Sequence, residues 1–157
     1  MRTRSRAALV LLLLLPSVPA RAAELTAFLA VAKPDANWAG GAGGAFGINF
    51  LQVLHFEAEV AHLPGEILDQ GQWTVVGSAF VAPSIGRLVP YAGLGVGGYR
   101  QTFLDTSDTG VVRNFVVGVK VKLGLVLVKG EYRKISLPDE APIEMHDRFS
   151  VGAGVSF

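Results

Sequence analysis

Cysteine is absent from all 157 residues, and charged residues make up only 17% of them. Without cysteine there is no disulfide scaffold, no thiol nucleophile and no Cys-ligated metal. The low charge, set against 50% hydrophobic residues, excludes a disordered chain. Long apolar runs are missing as well. Beyond the first two dozen residues none approaches the roughly 18 needed for a membrane-spanning helix. The composition suits a membrane, yet the helices that usually carry it are not there.

What is present begins with an export signal. Arg2, Arg4 and Arg6 precede a continuous apolar run from Ala7 to Leu15, which Pro16 breaks. Ala20 and Ala22 then supply the small residues of a cleavage site, completing the pattern of a secretory signal peptide. As a helix the run would span about 13 Å, far short of the ~30 Å hydrocarbon core, which favours cleavage over an uncleaved anchor. Residues 1–22 are therefore expected to be removed, leaving one domain over residues 23–157. The signal takes four of the 14 basic residues with it. Ten basic residues then face 13 acidic ones, a net charge of −3. Nucleic acid is not an expected partner for a chain of that sign.

The remainder alternates with the period of two that marks a strand. Phe149, Val151, Ala153, Val155 and Phe157 share one face, and Arg148, Ser150, Gly152, Gly154 and Ser156 share the other. Val53 to His62 sets Leu54, Phe56, Ala58 and Val60 against His55, Glu57 and Glu59. Asn114 to Leu123 sets Phe115, Val117, Val119 and Val121 against Asn114, Gly118, Lys120 and Lys122. Val126 to Ile135 opposes Val126, Val128, Gly130 and Tyr132 to Lys129, Glu131 and Arg133. Pro90 to Gln101 places Ala92, Leu94 and Val96 against Tyr91, Gly93, Gly95, Gly97 and Tyr99. Glu24 to Ala32, Trp38 to Asn49 and Gln72 to Ala82 read as strands by composition and spacing; for Glu24 to Ala32 a helix stays open as an alternative. The total is eight strands of about 9–12 residues, the length a tilted transmembrane strand requires.

The connections alternate in length. Lys33 to Asn37, His62 to Gly71, Thr102 to Val111 and Ser136 to His146 are the first, third, fifth and seventh. Asn49 to Gln52, Pro83 to Val89 and Leu123-Gly124-Leu125 fall between them. With both termini periplasmic, the odd connections become outer loops and the even ones inner turns, the asymmetry of outer-membrane barrels. Three outer loops are acidic, carrying Glu66 and Asp69, then Asp105 and Asp108, then Asp139, Glu140 and Glu144.

Alternation alone leaves open which face points inward. A soluble lipocalin-like barrel with an apolar lumen is the structural competitor. Two features favour the inverted arrangement. The polar face is sparse and rich in glycine, a poor surface for water but suited to a lumen that side chains must fill. It also carries both signs, so long opposite charges can neutralise one another inside it. The expected lumen network is His55, Glu57, Glu59, Arg100, Lys120, Lys122, Lys129, Glu131 and Arg133. Trp38, Trp73, Tyr99 and Tyr132 fall near strand ends, where an interfacial aromatic girdle would sit. The expected fold is all-β: an eight-stranded antiparallel up-and-down transmembrane β-barrel in the bacterial outer membrane.

At this point the residues resemble a family. A terminal Phe157 with Phe149, Val151, Ala153 and Val155 at alternate positions upstream resembles the C-terminal β-signal of Gram-negative outer-membrane proteins. Val89-Pro90-Tyr91-Ala92-Gly93-Leu94-Gly95-Val96-Gly97 is similar to the Pro-Tyr, glycine-alternating strand of OmpA-like and OmpX-like barrels. Glu131-Tyr132-Arg133 is similar to a Glu-aromatic-Arg segment in their penultimate strand. The resemblance covers the whole chain after the signal. It implies outer-membrane lipids and lipopolysaccharide as partners, and a monomeric barrel. It also implies recognition of Phe149, Val151, Val155 and Phe157 by the barrel-assembly machinery.

Candidate chemistry is thin. His55, Glu57 and Glu59 share a strand face, and Ser78 on a neighbouring strand would complete a Ser-His-Glu set. The competing reading is a lumen network with Lys120, Lys122 and Arg133, because ionisable groups in a membrane barrel need partners in any case. Some eight-stranded barrels are lipid A deacylases, and that family carries a His-x-Ser-Asn motif in a late strand. This sequence has none; His146-Asp147-Arg148 lacks the serine. The acidic loops contain no Asp-x-Asp-x-Asp-Gly calcium motif, and Gly40-Gly41-Ala42-Gly43-Gly44 lacks the Lys-Ser/Thr of a phosphate loop. No catalytic residue, cofactor or metal is expected. The expected role is structural, envelope-integrity or surface interaction, with a lipid A-modifying enzyme or a small low-conductance pore as alternatives.

Overall fold

The computed structural model describes residues 23–33, 39–50, 53–64, 71–103, 106–136 and 145–157. The export signal, Trp38 and all of the acidic loop residues except Asp108 lie outside the described residues. Eight strands follow in order: β1 (Ala23–Lys33), β2 (Ala39–Phe50), β3 (Leu54–Pro64) and β4 (Gly71–Val81), then β5 (Leu88–Phe103), β6 (Thr106–Leu123), β7 (Val126–Ser136) and β8 (Met145–Ser156). Each pairs antiparallel with its sequence neighbours, and β1 closes on β8 from Glu24–Ser156 to Lys33–Asp147. The result is one closed up-and-down barrel. Closure pairs every strand edge, the only way strands satisfy their backbone groups in lipid. The helix alternative for Glu24 to Ala32 gives way here: Leu29 pairs with both Ala42 and Val151, and a helix would leave two strand edges open.

Two of the inner turns are tight. Gly124, with φ 72°, lets β6 return into β7, and Gly86, with φ 64°, serves the turn bridged by Ile85 and Leu88. Both need the left-handed backbone that glycine adopts without a Cβ clash. At the other end the structure departs from the expected loop over Thr102 to Val111. The ladder continues to Phe103–Thr106, so only residues 104–105 lie between β5 and β6. These two strands run 16 and 18 residues, against 11 or 12 for the others. The outer end of β6, residues 106–112, therefore extends past its β7 neighbour, while β5 is paired to β4 as far as Thr102.

Inside and outside are decided by the same alternation. Leu29 is 72% exposed, Val151 68% and Leu94 67%, all on the outward face. Inward-facing Lys120, Lys129, Arg133 and Arg148 are each at most 2% exposed. A soluble barrel would show the reverse. A wall of Leu, Val, Ile and Phe around a charged interior is what an apolar solvent stabilises.

Candidate functional site: the barrel lumen

The lumen is filled in three tiers. At the inner mouth Glu24 accepts from Lys120 Nζ at 2.6 Å and pairs with Lys122 Nζ at 2.9 Å. Lys120 Nζ also lies 2.9 Å from His55 Nε2, while His55 Nδ1 lies 2.9 Å from Asn49 Oδ1. An ammonium only donates, so His55 Nε2 accepts from it and Nδ1–H donates to Asn49. The His55 ring stacks on Phe80, which meets Tyr91 edge-on.

The middle tier is a clamp across the lumen. Arg133 on β7 and Arg148 on β8 are direct cross-strand neighbours, a like-charge pair that would repel unaided. Glu59, reaching from β3, bonds to Arg148 and lies 3.0 Å from Arg133 Nη2. Glu131 accepts from Arg133 Nε at 3.0 Å and Nη2 at 2.8 Å, and takes the Tyr91 O–H at 2.9 Å. Glu57 accepts from Lys129 Nζ at 3.2 Å. Lys129 and Arg148 also sit 5.5 and 5.4 Å from the Phe28 ring centroid, within cation–π range. Beside and above the clamp lie two buried apolar clusters, Val76, Tyr99, Val112 and Ile135 in one and Phe28, Ala30, Ala45 and Ala61 in the other, interleaved with buried Thr74, Gln101 and Asn114.

Glycine makes room for these long side chains. A Cβ on inward-facing Gly118 would lie 2.5 Å from the Tyr91 ring and 2.7 Å from the Gly130 carbonyl oxygen. Gly118→Leu is expected to displace Tyr91 from Glu131 and to cost about 1–3 kcal/mol by overpacking. A lowered urea-unfolding midpoint checks it.

No family model matches the sequence, and no curated protein matches it. Solved structures do match in fold. Neisserial surface protein A superimposes with a TM-score of 0.68 at 17% identity, over 87% of this chain and 96% of that one. The N-terminal β-barrel domain of Pseudomonas aeruginosa OprF gives 0.67 at 13% identity, over 87% and 98%. This chain has the fold of the eight-stranded outer-membrane barrels. The outer membrane enzyme PagL shares that fold too, with a TM-score of 0.54 at 11% identity over 84% and 98% of the two chains. The shared fold therefore does not decide activity, which resides in the side chains it carries.

The structure brings His55, Glu57, Glu59, Lys120, Lys122, Lys129, Glu131 and Arg133 together inside the barrel, with Lys122 at the inner mouth. Arg100 is the exception. It shares the outward parity of Leu94 and Val96, is exposed, and stands near the outer end of β5 beside Trp73. Near the membrane boundary an outward cation meets water or head groups, so the lumen holds no advantage for it. Tyr99 departs from the girdle in the opposite sense: it is buried in the lumen, and its O–H donates to Asp108 at 2.8 Å. Trp73 does face outward, stacked on His62, and Tyr132 donates to Asp147 beside Phe149.

Two members of the clamp and mouth, Glu24 and Arg148, were not among the expected network. Their signal was parity: Glu24 alternates with Leu25 and Leu29, and Arg148 with Phe149. The Ser-His-Glu set is not assembled. Glu57 and Ser78 are cross-strand neighbours, but both His55 ring nitrogens are engaged by Lys120 and Asn49. Ser78 Oγ has no hydrogen-bond partner among the described residues. Among the described residues no group of His, Asp and Glu is arranged to hold a metal ion.

Proposed function

We propose that this chain is an integral, monomeric protein of a bacterial outer membrane with a structural, envelope-integrity or surface-interaction role and no enzymatic activity. The observation that carries the reading is the occupied lumen. Ion pairs joining β1, β3, β6, β7 and β8 interlock across it, so the outward wall and the outer loops are the surfaces left to work with. An eight-stranded lumen filled by side chains weighs against a solute pore. The residue pattern of 1–22 supports export by a cleaved signal. The outward placement of Phe149, Val151 and Val155 on the closing strand, with exposed Phe157 directly after it, supports their reading by the barrel-assembly machinery. Membrane lipids and lipopolysaccharide are the partners proposed for the wall.

Expression in a Gram-negative host tests the reading. The protein is expected in the outer-membrane fraction, migrating faster on gels before boiling than after. Lipid A mass spectra from cells with and without it are expected to be identical. A deacylated or palmitoylated species appearing only with the protein would replace this reading by the enzymatic one.

A further inference from the structure

The outward wall is not uniformly convex. Two cross-strand rows line it: Phe46, Ala58, Gly77, Val96 and Arg113 from β2 to β6, and Ile48, Phe56, Ala79 and Leu94 from β2 to β5. Their centres are small (Ala58, Gly77, Ala79) and their flanks are large. A groove of about 700 Å³ results, almost wholly apolar, within the ~300–1,000 Å³ range of small-molecule sites.

Gly77 is not demanded by the barrel. A Cβ there would meet only the Val96 carbonyl oxygen at 3.9 Å, an ordinary contact, whereas Gly118 and Gly95 lack such room. Its missing side chain serves the groove. Arg113 ends the row nearer the outer rim, is exposed, and forms no ion pair with the described residues. At roughly 2.5 Å of height per residue for strands tilted by about 40°, it stands about 25 Å above the Leu123 turn. That is the outer edge of the apolar band, where phosphate head groups begin. A guanidinium at that level, with no ion pair among the described residues, matches a phosphate in charge and in geometry.

We infer that this groove is a lipid seat: one acyl chain of a phosphate-bearing outer-leaflet lipid lies over Gly77 and Ala79, with its phosphate on Arg113. The inference rests on the membrane placement proposed above. Heat-modifiable migration after insertion into vesicles tests that placement separately from binding.

The binding experiment is native mass spectrometry of the full barrel in detergent, titrated with bis-phosphorylated lipid A and with its dephosphorylated form. Gly77→Leu and Ala79→Leu each fill the floor and are expected to weaken phosphorylated lipid A by about fivefold or more. Arg113→Gln is expected to weaken the phosphorylated form by a similar factor, about fivefold, and leave the dephosphorylated form unchanged. Gly130→Leu, on the opposite wall where a Cβ meets nothing within 4 Å, is expected to bind as wild type. Two groove variants guard against one failing to fold. Folded groove variants that bind as tightly as wild type, or Arg113→Gln indifferent to phosphate, would overturn the seat while leaving the barrel's placement intact.

Discussion

Replacing Arg133 by Met is expected to destabilise the barrel by about 3–5 kcal/mol, the usual cost of breaking a buried ion pair from one side. Arg133 Nη2 lies 2.8 Å from Glu131, 3.0 Å from Glu59 and 3.7 Å from Glu57. Removing it leaves those three buried carboxylates with Lys129 and Arg148 as their remaining cations. The penalty is that of the abandoned acids, not the net worth of the pairs. A second change that removes one charge should therefore recover much of the loss. Arg133→Met with Glu131→Gln is expected to lie closer to wild type than Arg133→Met alone. Urea unfolding in micelles, followed by tryptophan fluorescence, supplies the cycle; strictly additive losses would contradict a shared network.

The second large effect is expected on the other face. Val117 points outward near the middle of β6, about 15 Å above the Leu123 turn by the same height per residue. Val117→Arg is expected to cost about 2–4 kcal/mol in vesicles, because the guanidinium would sit at the bilayer midplane. Val111→Arg, on the same face but beyond the apolar band, is expected to cost about 0–1 kcal/mol. The contrast separates depth from chemistry, since strand, face and substitution type are shared. Equal costs at the two positions would mean that the outward wall does not meet a bilayer.

Much of this architecture was legible because a strand's side-chain period is a geometric fact that few interactions override. β3, β7 and β8 could be read from their alternation, and their inward residues meet as the faces imply. The β5–β6 hairpin escapes pattern reading for a physical reason. Ser107, Asp108, Thr109 and Gly110 have loop-like composition, yet the ladder from the wall below holds them in register. Charge alone sets Arg100 in the lumen, whereas its parity with Leu94 sets it outside. Glu24 went unplaced because Thr26, Ala27 and Ala30 blur the alternation that would have set it beside Lys120. The clamp of Arg133 and Arg148 by Glu59 lay beyond pattern reading, since which residues meet across a lumen depends on barrel shear, not on sequence spacing.

The central claim is that the apolar face of every strand meets lipid and the charged face meets only the barrel's own interior. Because the chain has no cysteine, single cysteines can be introduced cleanly along β6 from Asn114 to Val119 and given a nitroxide label. Accessibility to oxygen, which concentrates in lipid, is then measured in vesicles against a water-soluble nickel reagent. The expected result is a period of two, with oxygen maxima at Phe115, Val117 and Val119 and low accessibility to both reagents at Asn114, Val116 and Gly118. Nickel maxima at Asn114, Val116 and Gly118, with Phe115, Val117 and Val119 shielded from oxygen, would contradict it.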